Sequence, residues 1–212
     1  MSVSLPVATA LAAAAAAIAL PLTAPTASAL DCNDIEVVFA RGTGEDPGIG
    51  RVGDAFVNDL RGLVGYRSLG VYAVNYPASY DFLAVADGAN DASGHIQWVA
   101  NNCPNTRIVL GGYSQGAAVV DVVTSIPIPG IGFTNPLPPF AADHIAAVAV
   151  FGNPSAKIGL PLTSSPVFGT RAIDLCNAGD PICSSGNSVV AHRNYGPDGS
   201  ANQAAAFVAS CL

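Results

Sequence analysis

Residues 107–124 (RIVLGGYSQGAAVVDVVT) decide how this chain folds. Arg107-Ile108-Val109-Leu110-Gly111-Gly112 is an apolar run of strand length, and a helix-forming run begins at Gln115 with no linker between them. The two meet at Gly112-Tyr113-Ser114-Gln115-Gly116, a Gly-x-Ser-x-Gly pentapeptide. Such a strand-turn-helix elbow strains the turn and lifts the serine hydroxyl above the edge of a sheet. Glycines flank the serine because the turn crowds neighbouring backbone, where a Cβ would collide. The helix N-terminus also aims backbone N–H groups at any negative charge that develops beside the hydroxyl. Ser114 is therefore the candidate nucleophile.

Outward from the elbow, four further apolar runs have strand length: Ile35–Ala40, Val71–Tyr76, Ile145–Phe151 and Thr170–Leu175. They are β-branched and nearly continuous, as in strands buried on both faces of a parallel sheet. Helical spacing fills the intervals over Gly53–Val64, Asp87–Asn101, Gln115–Thr124 and Ala201–Cys211. Strands alternating with helices imply right-handed crossovers, so the expected fold is α/β, a three-layer α/β/α sandwich on a five-stranded parallel sheet. Two stretches break the rhythm, Ile126–Phe140 and Lys157–Phe168, rich in Pro and Gly yet apolar. They are expected to wall an apolar pocket at the rim of the sheet, or else to pack against the domain.

The chain has 212 residues, enough for one domain with a sizeable core. Net charge is -7 and the 8 Lys and Arg are scattered singly, which argues against nucleic acid as a partner. Residues 1–29 read as an export signal: Val7–Leu20 is an apolar run too short to span a membrane, and Ala27-Ser28-Ala29 is a small-x-small cleavage pattern. No Lys or Arg precedes the run, an unusual feature for such a signal. The domain is then 30–212, exported and either free outside the cell or retained in its envelope. Cys32, Cys103, Cys176, Cys183 and Cys211 all fall within it, and an oxidising compartment favours pairing. Cys176 and Cys183 are close enough to staple a short loop, but sequence alone does not settle the connectivity. No CxxC or HxxxH spacing occurs, so no metal is expected.

A serine hydroxyl needs a base, and the base needs a carboxylate to orient it. Elbow enzymes place these in the chain order Ser, acid, His. His95 precedes Ser114 and is assigned to a helix surface, and His144 falls at the N-terminal end of the fourth strand. His192 remains. Between Ser114 and His192 the candidate acids are Asp174, inside the fifth strand, and Asp180, in the loop beyond it. Catalytic groups of open α/β sheets gather at the carboxyl ends of strands, which selects Asp180. The oxyanion donors are then the N–H of Gln115 and the Thr43 N–H or hydroxyl, in the loop after the first strand. Gly48-Ile49-Gly50-Arg51-Val52-Gly53 matches a dinucleotide fingerprint, but it lies past its strand and lacks the acidic ribose partner, so no cofactor is expected.

Taken together these residues resemble the cutinase family, particularly its actinobacterial cutinase-like branch. The resemblance rests on Val38-Phe39-Ala40-Arg41-Gly42-Thr43, Tyr76-Pro77-Ala78, Gly111–Gly116, Asp174-Leu175-Cys176, Asp180-Pro181-Ile182-Cys183 and His192. It implies a small lidless α/β-hydrolase, a Ser114–Asp180–His192 triad, an oxyanion hole at Thr43 and Gln115, and disulfides Cys32–Cys103 and Cys176–Cys183. It further implies a serine esterase acting on ester or lipid substrates, small or polymeric; a monomer with transient contact to lipid surfaces is expected. Short to medium acyl chains are expected, with a phospholipid or an acetylated polysaccharide as alternatives. A different class of function, an idle surface protein that keeps the fold, is the rival expectation. Cys211 lies outside the family pattern.

Overall fold

The computed structural model describes residues 1–3, 32–125, 129–130 and 132–212. Beyond its first three residues, the expected export signal over 1–29 lies outside the described residues, as does part of the first Pro-rich stretch.

Five strands form one parallel sheet: β1 (Ile35–Ala40), β2 (Leu69–Ala73), β3 (Arg107–Tyr113), β4 (Ile145–Phe151) and β5 (Ala172–Leu175), in the spatial order β2-β1-β3-β4-β5. The central strands alternate between two cores, because successive side chains point to opposite faces. Val38, Leu110, Val148 and Val150 pack with α2 (Ala84–Asn102) and α3 (Gln115–Ser125). Val37, Phe39, Val109 and Phe151 pack on the other face with α1 (Gly50–Leu63) and α7 (Ser200–Cys211). The helices therefore cover both faces, and the expected three-layer α/β arrangement is the one observed. Short helices α4 (Pro139–Asp143), α5 (Pro154–Lys157) and α6 (Val189–Arg193) complete the chain.

The chain leaves β1 toward β2 on one side, and β3 then lies on the other side of β1. A ligand crevice opens where the winding reverses in this way, outside the carboxyl ends of the two strands. Here that point falls between β1 and β3, with Ala40 paired to Gly112. Gly42-Thr43 follows the first strand and Ser114 follows the other, so the topology itself brings the two loops together.

Two strands differ from the sequence expectation. β2 ends at Ala73, although the apolar run continues through Val74 and Tyr76. The carbonyls of Val74 and Tyr76 are turned to the Arg41 guanidinium instead, at 3.4 and 2.8 Å, which ends the ladder. β5 begins two residues late because Gly169–Arg171 forms a turn of 3₁₀ helix. The disulfides are Cys32–Cys103 and Cys176–Cys183, and Cys211 is a free, half-buried thiol.

Candidate active site

The elbow at Ser114 is built by strain and close approach. Ser114 has φ 56°, in the left-handed region that an L residue adopts only under constraint. The constraint is steric. A Cβ on Gly116 would lie 1.9 Å from the Ala40 carbonyl oxygen, and one on Gly112 would lie 2.2 Å from the Gly116 oxygen. Only glycine at both positions lets α3 start this close to β1.

Ser114 Oγ lies 2.9 Å from His192 Nε2, and His192 Nδ1 lies 2.7 Å from Asp180 Oδ2. His192 is carried on α6, a one-turn helix capped by Ser188, whose side chain accepts from Ala191 N–H. Asp180 is fully buried, not the solvated turn residue that its Gly-Asp-Pro setting suggests by itself. Its Oδ1 accepts the Ile182 N–H at 2.7 Å, and its Oδ2 also accepts the Tyr195 hydroxyl at 2.6 Å. The Cys176–Cys183 bridge closes the loop that holds it. Gly152, with φ 59°, passes beneath: a Cβ there would sit 2.9 Å from His192 Cε1 and 3.1 Å from Asp180 Oδ2.

The Thr43 loop is pinned from two sides. Arg41 Nε donates to the Glu45 carbonyl at 2.9 Å, and Gly42 N–H donates to Glu45 Oε2 at 2.8 Å. Gly44 N–H donates to the Ala78 carbonyl at 2.7 Å. Among the described residues, the backbone N–H groups of Thr43 and Gln115 have no hydrogen-bond acceptor. Both are left available beside Ser114. The Gln115 side chain is buried and donates to the Ser79 carbonyl at 2.8 Å.

These groups border a cleft of about 860 Å³, with Ser114 and His192 each partly exposed in it. Its apolar wall is Ile49, Tyr80, Phe82, Ile182 and Val189, and Glu45, Asp46, Arg51, Asp54 and Arg193 make its charged rim. The expectation that the Pro-rich stretches wall this pocket is not met. No described residue of 126–140 or 157–168 borders it. The reason is length: α3 runs about 16 Å, so the stretch that follows it starts that far from Ser114. Residues 160–167 line a separate cleft beside the C-terminal end of α3. The segment that matches the dinucleotide fingerprint contributes Gly48, Ile49, Gly50 and Arg51 to the rim of the Ser114 cleft.

The unselected candidates are elsewhere. His144 sits immediately before β4, at the opposite end of the sheet. His95 is not simply on a helix surface: it is part-buried, stacked on Tyr72 at 3.6 Å, with Nε2 3.1 Å from Glu36 Oε1. Asp174 accepts from Asn153 Nδ2 at 2.9 Å and Leu162 N–H at 2.8 Å, and burial pushes its carboxyl up.

Sequence reasoning missed Tyr113 and Tyr195. The Tyr113 ring lies 5.0 Å from the imidazole and its hydroxyl donates to the His192 carbonyl at 2.8 Å. Burial, then the Glu45 charge, push that phenol up to about 12, so it remains a donor at neutral pH. Tyr113 was visible as the x of the elbow, while Tyr195 carried no motif. Among the described residues no group of three or more His, Cys, Asp and Glu could hold a metal ion.

Comparison with known proteins gives consistent likenesses. A family model described as Cutinase matches residues 31–212. Phospholipase Culp4 of Mycobacterium tuberculosis is 64% identical over 191 residues, covering 90% of this chain and 83% of that protein. Carboxylesterase Culp1 of Mycobacterium bovis is 49% identical over 200 residues, covering 91% and 88%. Among solved structures, Trichoderma reesei cutinase in complex with a C11Y4 phosphonate inhibitor has TM-score 0.70 and 36% identity, over 85% of this chain and 77% of that one. The catalytic core domain of acetyl xylan esterase from the same organism has TM-score 0.72 and 29% identity, over 86% and 100%.

Proposed function

This chain belongs to the cutinase family and is a carboxylic ester hydrolase, and from that premise we propose that it is an exported serine esterase cleaving esters of short to medium acyl chains through an acyl-enzyme. His192 Nε2 takes the Ser114 proton as Oγ attacks the ester carbonyl. Asp180 keeps the imidazole in the tautomer with Nδ1 protonated and stabilises the imidazolium that forms. The Thr43 and Gln115 N–H groups receive the oxyanion, with the Thr43 hydroxyl as a third donor. The imidazolium returns its proton to the leaving alcohol. Water, deprotonated by the same nitrogen, then releases the acid and restores the serine.

The observation that carries this reading is the unbroken hydrogen-bonded run from Ser114 Oγ through His192 to a buried Asp180, with two unpaired N–H groups beside it. The Ile182 and Val189 side chains give the acyl chain an apolar wall, and the partly exposed site favours chains that need no deep tunnel. A phospholipid is the second reading. It is favoured by the name of the Culp4 relative and by Arg193, a rim cation next to His192 in the chain; Arg51 is already within 3.9 Å of Glu45.

Ser114→Ala should lower ester turnover by about 10⁴-fold or more with the fold retained, and should abolish labelling by a fluorophosphonate probe. Undiminished turnover, or labelling that persists, would reject Ser114 as nucleophile, whereas intact wild-type protein that resists the probe would leave the idle surface protein in contention. Hydrolysis rates across an acyl-ester series, set against a phosphatidylcholine vesicle, decide between the two substrate readings.

A further inference from the structure

Resting on the Ser114–His192–Asp180 reading, we propose that Tyr195 is a positioning residue that acts on the imidazole through Asp180 and sets the acid limb of the pH profile. Tyr195 is fully buried, and its hydroxyl lies 2.6 Å from Asp180 Oδ2. That is the same oxygen that takes His192 Nδ1 at 2.7 Å. The Asn177 N–H donates to the Tyr195 oxygen at 3.1 Å, so the phenol proton is left to point at the carboxylate. Asn177 Nδ2 in turn donates to the Ala191 carbonyl at 2.9 Å, one residue before His192. The network thus closes on the helix that carries the base. The Tyr195 ring is held edge-on by Tyr113 and Phe151, at 6.0 and 5.9 Å between centroids. Burial, and then the bond to Asp180, push the phenol far above its ordinary range, so it donates throughout the working pH range.

Two donors on one oxygen divide its negative charge. The part drawn to the Tyr195 O–H is not available to stabilise a proton on His192. Tyr195 therefore competes with His192 Nδ1–H for the charge on Asp180 Oδ2. It also fixes which face of the carboxylate meets Nδ1.

Tyr195→Phe keeps the ring and removes only the hydroxyl. Measured on a soluble p-nitrophenyl ester, the acid limb of kcat/KM should move up by about half to one pH unit. In the same assay kcat should fall roughly tenfold and KM should stay unchanged. Site-specific 3-fluorotyrosine at 195 has a more acidic phenol and should move the limb down. It leaves the packing intact, so it decides the matter if the Phe variant fails to fold. Wild-type kcat and limb in the Phe variant, or a limb unmoved by fluorination, would overturn the proposal. Asp180→Asn tests the reading beneath it. If that variant keeps full turnover, the Asp180 assignment falls; if it collapses while both Tyr195 variants behave as wild type, only the Tyr195 inference falls.

Discussion

Two carboxylate sites, one fully buried and one part-buried, meet at adjacent residues of one turn, and they are treated in opposite ways. Gly152 underlies the first, Asp180 with His192. Asn153 serves the second, where its single amide nitrogen donates to both Asp121 and Asp174, at 3.2 and 2.9 Å. Asp180 receives three donors, and both of its oxygens are used. In the second site the Asp121 Oδ2 and Asp174 Oδ1 atoms are buried with no hydrogen-bond partner among the described residues. Burial pushes Asp121 up to about 6, against the pull of nearby Ser155 and Asn153, with the Asp174 charge adding to the rise. The difference teaches that burial alone does not make a carboxylate useful. The carboxylate of the proposed triad is surrounded by donors, while a carboxyl short of donors moves toward its neutral form.

The same chemical change at the two sites should then have unlike consequences, and the largest is at Asp180. Asp180→Asn replaces an acceptor by an amide that no longer selects the Nδ1–H tautomer, and kcat should fall by about 10⁴-fold. Steady-state kinetics on a soluble ester check this, and a loss under tenfold would erase the distinction between the sites. Gly152→Ala acts on the turn that joins them. Its Cβ would lie 2.9 Å from His192 Cε1, and its φ of 59° is unfavourable for alanine. Displacing the imidazole by a fraction of an ångström should cost about 10- to 100-fold in kcat/KM. The variant is also expected to melt earlier, because the left-handed turn is strained. Unchanged kinetics in a folded variant would show that the first site accommodates the added Cβ without displacing the imidazole.

Much of the first site was readable from residue order. The elbow states its own geometry, since a Cβ on Gly116 would lie 1.9 Å from the Ala40 carbonyl oxygen and only glycine fits there. Chain order isolated His192, and the position of Asp180 after a strand separated it from Asp174. Element boundaries were less readable where tertiary contacts intervene, as at Val74, whose carbonyl bonds to Arg41 rather than to a neighbouring strand. Which cleft the Pro-rich stretches would line was not readable, because apolar composition says nothing about direction. Lys157–Phe168 is apolar but lies beyond the far end of α3, whereas the charged 45–51 segment borders the serine. The second site was not readable at all. Asp121, Asn153 and Asp174 lie on three different elements, and no local spacing links them.

An effect on stability alone, with none on turnover, tests that second site most directly. Folding raises the Asp121 carboxyl from 3.8 to about 6. The folded chain therefore holds that proton more tightly than the unfolded chain does, and the resulting stabilisation is complete below pH 3.8. It is lost as pH rises through about 6, when an ion must be kept in a site with too few donors. Asp121→Asn removes the titration while its oxygen can still accept from Asn153. At pH 7 the variant should be more stable than wild type by about 2 to 3 kcal/mol, the equivalent of the pKa rise. Much of that advantage should vanish by pH 4. Urea denaturation at the two pH values checks it. Turnover should be unaffected, because Asp121 lies about two helical turns beyond Ser114 on α3. A stability change of equal size at both pH values would mean that the substitution acts by packing and not by charge. The buried carboxyl would then be as well accommodated as Asp180, and the contrast between the two sites would lose its physical basis.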